Sequence, residues 1–255
     1  MSTVDIIIPN YNKEKFLNSA IKSVLNQSFK DWKLIIVDDN SSDKSKIILA
    51  KYKRNKKIKI LYLKKNKGPG YCRNLAIKSS NSKFIAFLDS DDYWNKKKLS
   101  EQIEFMKKND FSFTYSDYIS FYQLQNKKKI IGKTKITKSL DFKEFTKNSS
   151  INTSTMVVSR KLINKIKFKD LEKMEDYIFK CEILKKKKVK AYKFNRPYAF
   201  YRIYKENRSA STLKNIYYLW KYNKIFNKLN FIDNFISILM IAYNSIKKYG
   251  LKTGV

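Results

Sequence analysis

Three apolar runs near the start of the chain each stop at a polar cluster, and this repetition constrains the fold more than any other feature. Val4-Asp5-Ile6-Ile7-Ile8 stops at Pro9-Asn10-Tyr11-Asn12, and Leu34-Ile35-Ile36-Val37 stops at Asp38-Asp39. Phe84-Ile85-Ala86-Phe87-Leu88 stops at Asp89-Ser90-Asp91-Asp92. Helical patterns lie between them, the first with Phe16, Leu17, Ala20, Ile21, Val24 and Leu25 on one face. With a further strand expected at Ile58–Leu63, the order βαβαβαβ predicts an α/β fold with a mostly parallel central sheet flanked by helices. Continuous β-branched runs suit strands buried on both faces. In such sheets ligands bind outside the carboxyl ends of the strands. Three polar strand ends therefore predict one shared site, rich in carboxylates.

Those carboxylates stand out against the rest of the composition. The chain has 255 residues and a net charge of +34, yet only six of its 56 basic residues are Arg. Base recognition favours arginine forks, and here the Lys residues are scattered, so nucleic acid is not the expected partner. Attraction to an anionic membrane surface is a plausible secondary property of such a chain. Histidine is absent. Any general base at neutral pH must then be a carboxylate, Lys, Tyr or Cys. Cys72 and Cys181 stand far apart without metal-ligand spacing. No run reaches the ~20 apolar residues of a membrane span; Asp233 and Asn234 interrupt the nearest, Phe231 to Tyr243. With the first strand beginning almost at Met1, a cytoplasmic protein is expected, able to touch the membrane from the inside.

Beyond Asp92 the pattern loosens. Helices are expected to about Lys108, at Leu140–Thr146, Arg160–Ile166 and Asp176–Leu184, and strands at Phe111–Tyr118, Thr155–Ser159, Val189–Phe194 and Tyr198–Tyr204. Residues 123–138 read as an exposed hairpin or loop. From about Thr212 the chain turns helical, aromatic and Lys-rich. The expected organisation is a single compact unit, with a first half over 1–95 and a second half of the same domain over 96–211, followed by a C-terminal helical segment over 212–255.

Each polar cluster has a chemical and a structural reading. Asp89-Ser90-Asp91 supplies hard oxygens for Mg2+ or Mn2+ bridged to a diphosphate, or it is a solvated acidic turn. Asp38-Asp39 can accept from a uracil N–H or a ribose hydroxyl, or cap the next helix. Tyr11 offers a ring to a base, or sits in a plain turn. Gly68-Pro69-Gly70-Tyr71-Cys72-Arg73-Asn74 opens a helix but matches neither a Walker A loop nor Gly-x-Gly-x-x-Gly. Met174-Glu175-Asp176 opens another helix, as dipole compensation or as catalytic acids. Trp94 packs on a sugar ring or forms a wall of the core.

These pieces, with Leu25-Asn26-Gln27-Ser28, Asn40-Ser41-Ser42-Asp43 and Phe87 to Trp94, occur in one order. As an ordered set the chain resembles the family 2 inverting glycosyltransferases of the GT-A fold, densely over 3–95, thinly over 96–210 and not beyond 212. The resemblance implies a nucleotide site built from Pro9, Tyr11, Asn12, Asp38, Asp39, Gly68, Arg73, Asp89 and Ser90. Asp91 would be the metal ligand, and Trp94 and Asp92 would line the sugar pocket. Asp176, paired with Glu175, would be the general base. Tyr201-Arg202, followed loosely by Ser209, is similar to a segment beside the diphosphate. The Gln-x-x-Arg-Trp signature of processive synthases is missing.

The resemblance thus implies a metal-dependent single displacement that moves a sugar from a nucleotide-sugar, UDP-linked first, to a saccharide or lipid-linked saccharide in bacterial surface-glycan synthesis. A sugar-phosphate nucleotidyltransferase, a nucleic-acid-binding protein and a non-catalytic scaffold are the rivals. The C-terminal segment can pack on the catalytic unit, form a homodimer or rest on lipid.

Overall fold

Successive side chains of a strand point to opposite faces of its sheet, and the computed structural model shows what buries both. It describes residues 2–124, 127–133, 139–204 and 212–249. Ile6, Ile8, Leu34 and Ile36 face one layer, where they meet Leu17, Ile21 and Val24. Ile7, Ile35, Val37 and Phe87 face the other, against Cys72, Ala76, Ile178 and Phe179. Each fully buried aliphatic side chain stabilises the fold by about 1.5–3 kcal/mol. Two such layers on one sheet account for the uninterrupted apolar runs.

In chain order the first half comprises β1 (Val4–Asn10), α1 (Glu14–Leu25), β2 (Trp32–Asp38), α2 (Ser45–Ala50), β3 (Ile58–Tyr62), α3 (Gly68–Lys78) and β4 (Phe84–Phe87). The second half comprises β5 (Tyr93–Trp94), α4 (Lys98–Lys108), β6 (Phe113–Leu124), β7 (Lys127–Lys133), β8 (Ser139–Leu140), α5 (Phe142–Asn148), β9 (Val157–Ser159), α6 (Arg160–Ile163), α7 (Glu175–Lys187) and β10 (Ala191–Ile203). Helices α8 (Thr212–Tyr222) and α9 (Phe231–Tyr249) follow, joined by a π-type turn at Asn223–Asn227.

The sheet runs β3-β2-β1-β4-β9-β6-β10-β5, with β7 beside β6 and β8 beside β10. The β3-β2-β1-β4 half is parallel, as expected. Beyond β4 the sheet becomes mixed, because β9 pairs antiparallel with both β4 and β6. The two strands expected at Val189–Phe194 and Tyr198–Tyr204 are one strand, whose register against β6 shifts between Phe194 and Ala199, around Pro197. Pro has no N–H to give to a ladder, so a bulge there is its natural place. Where a hairpin or loop is expected over 123–138, β6 and β7 pair antiparallel from Ile119 opposite Lys133 to Leu124 opposite Lys127, and residues 125–126 and 134–138 lie outside the described residues. Helix α2 starts only at Ser45 because Ser41, Ser42 and Asp43 are drawn into loop contacts at the strand ends.

Candidate active site

The ends of β1, β2 and β4 come level at one rim, with Asn10 opposite Asp38 and Ile7 opposite Phe87. Asp38 is fully buried and its carboxylate is saturated from within. It accepts from Asn10 Nδ2 at 2.8 Å, Ser41 Oγ at 2.6 Å and Ser41 N at 3.1 Å. Asn12 stands at φ 50°, where Asn is tolerated. Its Oδ1 accepts from Ser42 N at 2.8 Å, latching the loop after β1 to the loop after β2. These two residues, expected at the nucleotide, hold together the loops that form this rim. Pro9 is buried in β1 beside Val37, and Tyr11 projects beyond it, 47% exposed.

Asp39 clasps the start of α3, its two oxygens accepting from Lys67 N at 2.7 Å and Gly68 N at 2.8 Å. A carboxylate on free helix N–H groups is favoured by hydrogen bonding and by the helix dipole. Gly68 itself has φ +82°, a left-handed conformation that glycine adopts without steric cost. One and a half turns further on, Arg73 is buried beneath the rim. Its guanidinium donates to Asp89 Oδ1 at 2.7 Å and to Glu175 Oε1 at 3.1 Å, and lies over the Phe168 ring. Burial pulls its pKa down, but Asp89 and Glu175 outweigh that and raise it. Arg73 therefore ties the first half of the chain to α7. Glu175, expected in a catalytic pair, serves this buried tie.

The Asp89–Asp92 cluster divides its labour. Asp89 N–H donates to Ser154 Oγ at 3.1 Å, and that hydroxyl donates to Asp92 Oδ2 at 2.6 Å. Asp92 also accepts from Arg202 N at 3.0 Å and is 1% exposed. Burial, then Asp91 and Asp89, push its carboxyl well above the usual range. Asp92 thus braces Ser154 and Arg202. Trp94 is 3% exposed, donates to Ser154 O at 2.7 Å and carries the Lys98 ammonium group 3.7 Å over its ring. Ser90 is buried as well.

Asp91 is the member of the cluster that faces other side chains at the rim. Its Oδ2 accepts from Tyr204 OH at 2.6 Å and meets Lys13 Nζ at 3.1 Å. Burial, then Asp91, raise the Tyr204 phenol. Arg202 donates from Nε to Asp91 O at 2.9 Å, its guanidinium held between the Phe16 and Phe121 rings.

Asp176 sits at the head of α7, after Met174 at φ 60° turns the chain into the helix. Its Oδ2 accepts from Lys180 Nζ at 2.6 Å and Thr153 Oγ1 at 2.9 Å, with the side chain 35% exposed. Burial raises its pKa, but Lys180, Arg73 and Thr153 together hold it below the usual carboxylate range. Lys180 is itself buried and also donates to Ile151 O at 2.7 Å.

Asp39, Arg73, Asp89, Glu175, Asp92, Arg202 and Asp91 are thus joined through direct contacts, Ser154 and the head of α3. Asp176 joins through Thr153, a neighbour of Ser154. Lys13, Thr153, Ser154, Lys180 and Tyr204 belong to this network and were not singled out in the sequence. Only Lys180 carried a readable signal, since it follows Asp176 at i+4, where a helix brings side chains together. Ser209 lies outside the described residues. A groove of about 1170 Å³, lined among others by Phe84, Ser159 and Arg160, lies toward the opposite end of β4, away from these acids.

The Asp91 carboxylate is a hard oxygen donor of the type a divalent cation takes, and a cation bound at Oδ2 would displace Lys13 from it. Among the described residues no group of three His, Cys, Asp or Glu could hold an ion by itself. Asp91 is the side chain that would hold such an ion.

The family model described as glycosyl transferase family 2 matches residues 5–167. The chain is 35% identical over 217 residues to the Escherichia coli UDP-Glc:alpha-D-GlcNAc-diphosphoundecaprenol beta-1,3-glucosyltransferase WfgD, covering 85% of this chain and 83% of that one. Staphylococcus aureus TarS in complex with UDP-GlcNAc superposes with a TM-score of 0.74 at 19% identity, over 96% of this chain and 73% of that one. The Pyrobaculum calidifontis mannosyltransferase PcManGT, in complex with GDP-Man and Mn2+, gives a TM-score of 0.69 at 11% identity, over 99% and 71%. These likenesses carry the GT-A fold. The rim of acids at the strand ends and the family match lead to one conclusion: the chain belongs to glycosyl transferase family 2.

Proposed function

We propose that this enzyme moves a sugar from a nucleotide-sugar, most readily a UDP-sugar, to a hydroxyl of a saccharide or lipid-linked saccharide, inverting the anomeric centre in one displacement. The observation that carries the reading is the network joining Asp39, Arg73, Asp91 and Asp176 at the strand ends. The naming of WfgD, which acts on a diphosphoundecaprenol-linked sugar, supports the acceptor class. TarS with UDP-GlcNAc supports the donor class. On this reading residues 1–95 form the donor half and 96–211 bring the base and the acceptor surface.

Each side chain then has a part. Pro9 and exposed Tyr11 border the nucleoside, with Asp38 and Asn12 shaping the loops behind it. Asp39 and Gly68 set the head of α3, and Arg73 holds Asp89 in place for the ribose. Arg202 and Lys13 provide positive charge beside the departing diphosphate. Asp91 would hold Mg2+ or Mn2+, which when bound supplies Lewis-acid stabilisation of that leaving group. PcManGT with Mn2+ supports this role. Asp176 takes the proton from the acceptor hydroxyl as its oxygen attacks the face opposite the diphosphate. The hydrogen bonds from Thr153 and Lys180 both fall on Oδ2, which leaves Oδ1 to receive the proton. A depressed pKa keeps this base ionised at every physiological pH, at the cost of basicity.

The test is a panel of nucleotide-sugars offered with Mn2+ and a lipid-linked saccharide. A nucleoside diphosphate and a product of opposite anomeric configuration by NMR are expected. Failure of that reaction, with pyrophosphate released instead from a nucleoside triphosphate and a sugar 1-phosphate, would identify a nucleotidyltransferase.

A further inference from the structure

Helix α9 is apolar on both sides. Its inward face packs Ile238 and Ile241 against the core and adds polar ties: Asn234 Oδ1 accepts from Asn223 Nδ2 at 3.0 Å, and Asn234 Nδ2 donates to Trp220 O at 3.0 Å. Ser237 Oγ accepts from Asn223 Nδ2 at 3.1 Å and donates to Thr146 O at 2.5 Å. Asn223 also accepts from Tyr177 OH, on the same helix as Asp176. The outward face is apolar. Phe231 is 73% exposed and Ile232 69%, and Phe235, Ile236, Leu239, Met240 and Tyr243 continue the exposed surface. At 100° per residue these positions fill one continuous half of the helix. Monomeric soluble proteins rarely expose a contiguous apolar arc of this kind, and such patches mark interaction surfaces.

The charge around it selects the partner. Lys221, Lys224 and Lys228, just before α9, and Lys147, on the helix packed beneath it, are all exposed. The acid on the exposed part of α9, Asp233, is engaged in the helix cap, where its N–H donates to Asn230 Oδ1 and its Oδ2 accepts from Asn230 Nδ2. A net charge of +34 repels a second copy of the chain. The same charge attracts an anionic lipid surface. No helix among the described residues is long and apolar enough to cross a membrane.

We propose that the outward face of α9 docks the enzyme on an anionic bilayer, lying in the interface with its apolar half among the acyl chains and the neighbouring lysines among the headgroups. Through Asn223 and Tyr177 the docked helix is braced against α7, and so fixes how the acceptor side of the site stands relative to the lipid. This assignment rests on the helix and not on the transfer chemistry.

The experiment is flotation of the full chain with vesicles of phosphatidylcholine and phosphatidylglycerol, read without donor or acceptor, so that its outcome is separate from that of the transfer assay. The chain should float with anionic vesicles, and the double variant Phe235→Ser/Leu239→Ser should partition about a hundredfold more weakly. Trp220, packed 5.3 Å from Phe231, gives a second readout on the unaltered chain: brominated lipids should quench part of the tryptophan fluorescence. Failure of the chain to float or be quenched would overturn the proposal, as would equal flotation of the variant. So would a stable dimer in solution that the double variant dissociates, since that would make the arc a contact between copies.

Discussion

Removing Lys180 probes the candidate base where its electrostatics are most exceptional. Lys180 Nζ lies 2.6 Å from Asp176 Oδ2, its own side chain 3% exposed. At an effective dielectric of about 20, opposite unit charges 4 Å apart attract by about 4 kcal/mol. Asp176 is 35% exposed, and halving the attraction for solvent screening leaves about 2 kcal/mol. A double-mutant cycle of Lys180→Met and Asp176→Asn, followed by urea unfolding at neutral pH, should therefore give a coupling of about 2 kcal/mol. The sign with pH follows from the lowered pKa of Asp176. The stability it contributes is fully present above the unfolded carboxylate pKa of about 3.9 and is lost as pH falls through the lower folded value. A coupling under about 0.5 kcal/mol at neutral pH would refute the reasoning, because it would reduce the pair to an ordinary surface ion pair.

Three further outcomes are expected. Arg73→Lys cannot bridge Asp89 and Glu175 together, and should cost about 3 kcal/mol in denaturant unfolding. Gly70→Ala would place a Cβ 3.1 Å from Lys169 O and 3.2 Å from Glu175 Cγ, so it should destabilise by about 1–3 kcal/mol and raise KM for the donor by loosening the Arg73–Glu175 tie. Asp91→Asn should lower kcat by at least about a hundredfold and abolish the response of the remaining rate to added Mn2+; full activity in EDTA for the parent enzyme would remove the metal role.

The parallel half of the fold was legible because its code is local. Ile6-Ile7-Ile8 and Leu34–Val37 are apolar at every position, which only a strand covered on both faces demands, and each ends in a turn cluster. The mixed half was less legible because its order comes from tertiary pairing. Nothing in Val157–Ser159 announces that it runs antiparallel between β4 and β6. Val189–Phe194 and Tyr198–Tyr204 read as two strands, where the chain forms one strand with a bulge around Pro197. At the site, residue types were readable but their division of labour was not. Asp38 and Asp39 are adjacent and chemically identical, yet one is saturated by Asn10 and Ser41 while the other clasps α3. Asp91 and Asp92 likewise differ only in which way the chain turns. Thr153 and Ser154 reach the acids from a distant turn, a contact that no spacing rule encodes. Gln27, part of the quoted Leu-Asn-Gln-Ser motif, latches α1 to the start of α4 through Leu99 N and Asn95 O.

The most direct measurement of the central claim is Asp176→Asn in a matched pair of assays, donor binding by calorimetry and sugar transfer in single turnover. With Oδ1 as the proton acceptor, donor affinity should stay within about threefold of the parent while transfer falls by a factor of about 100 to 10,000. Transfer at the parent's rate would contradict the account, as would equal losses in binding and turnover.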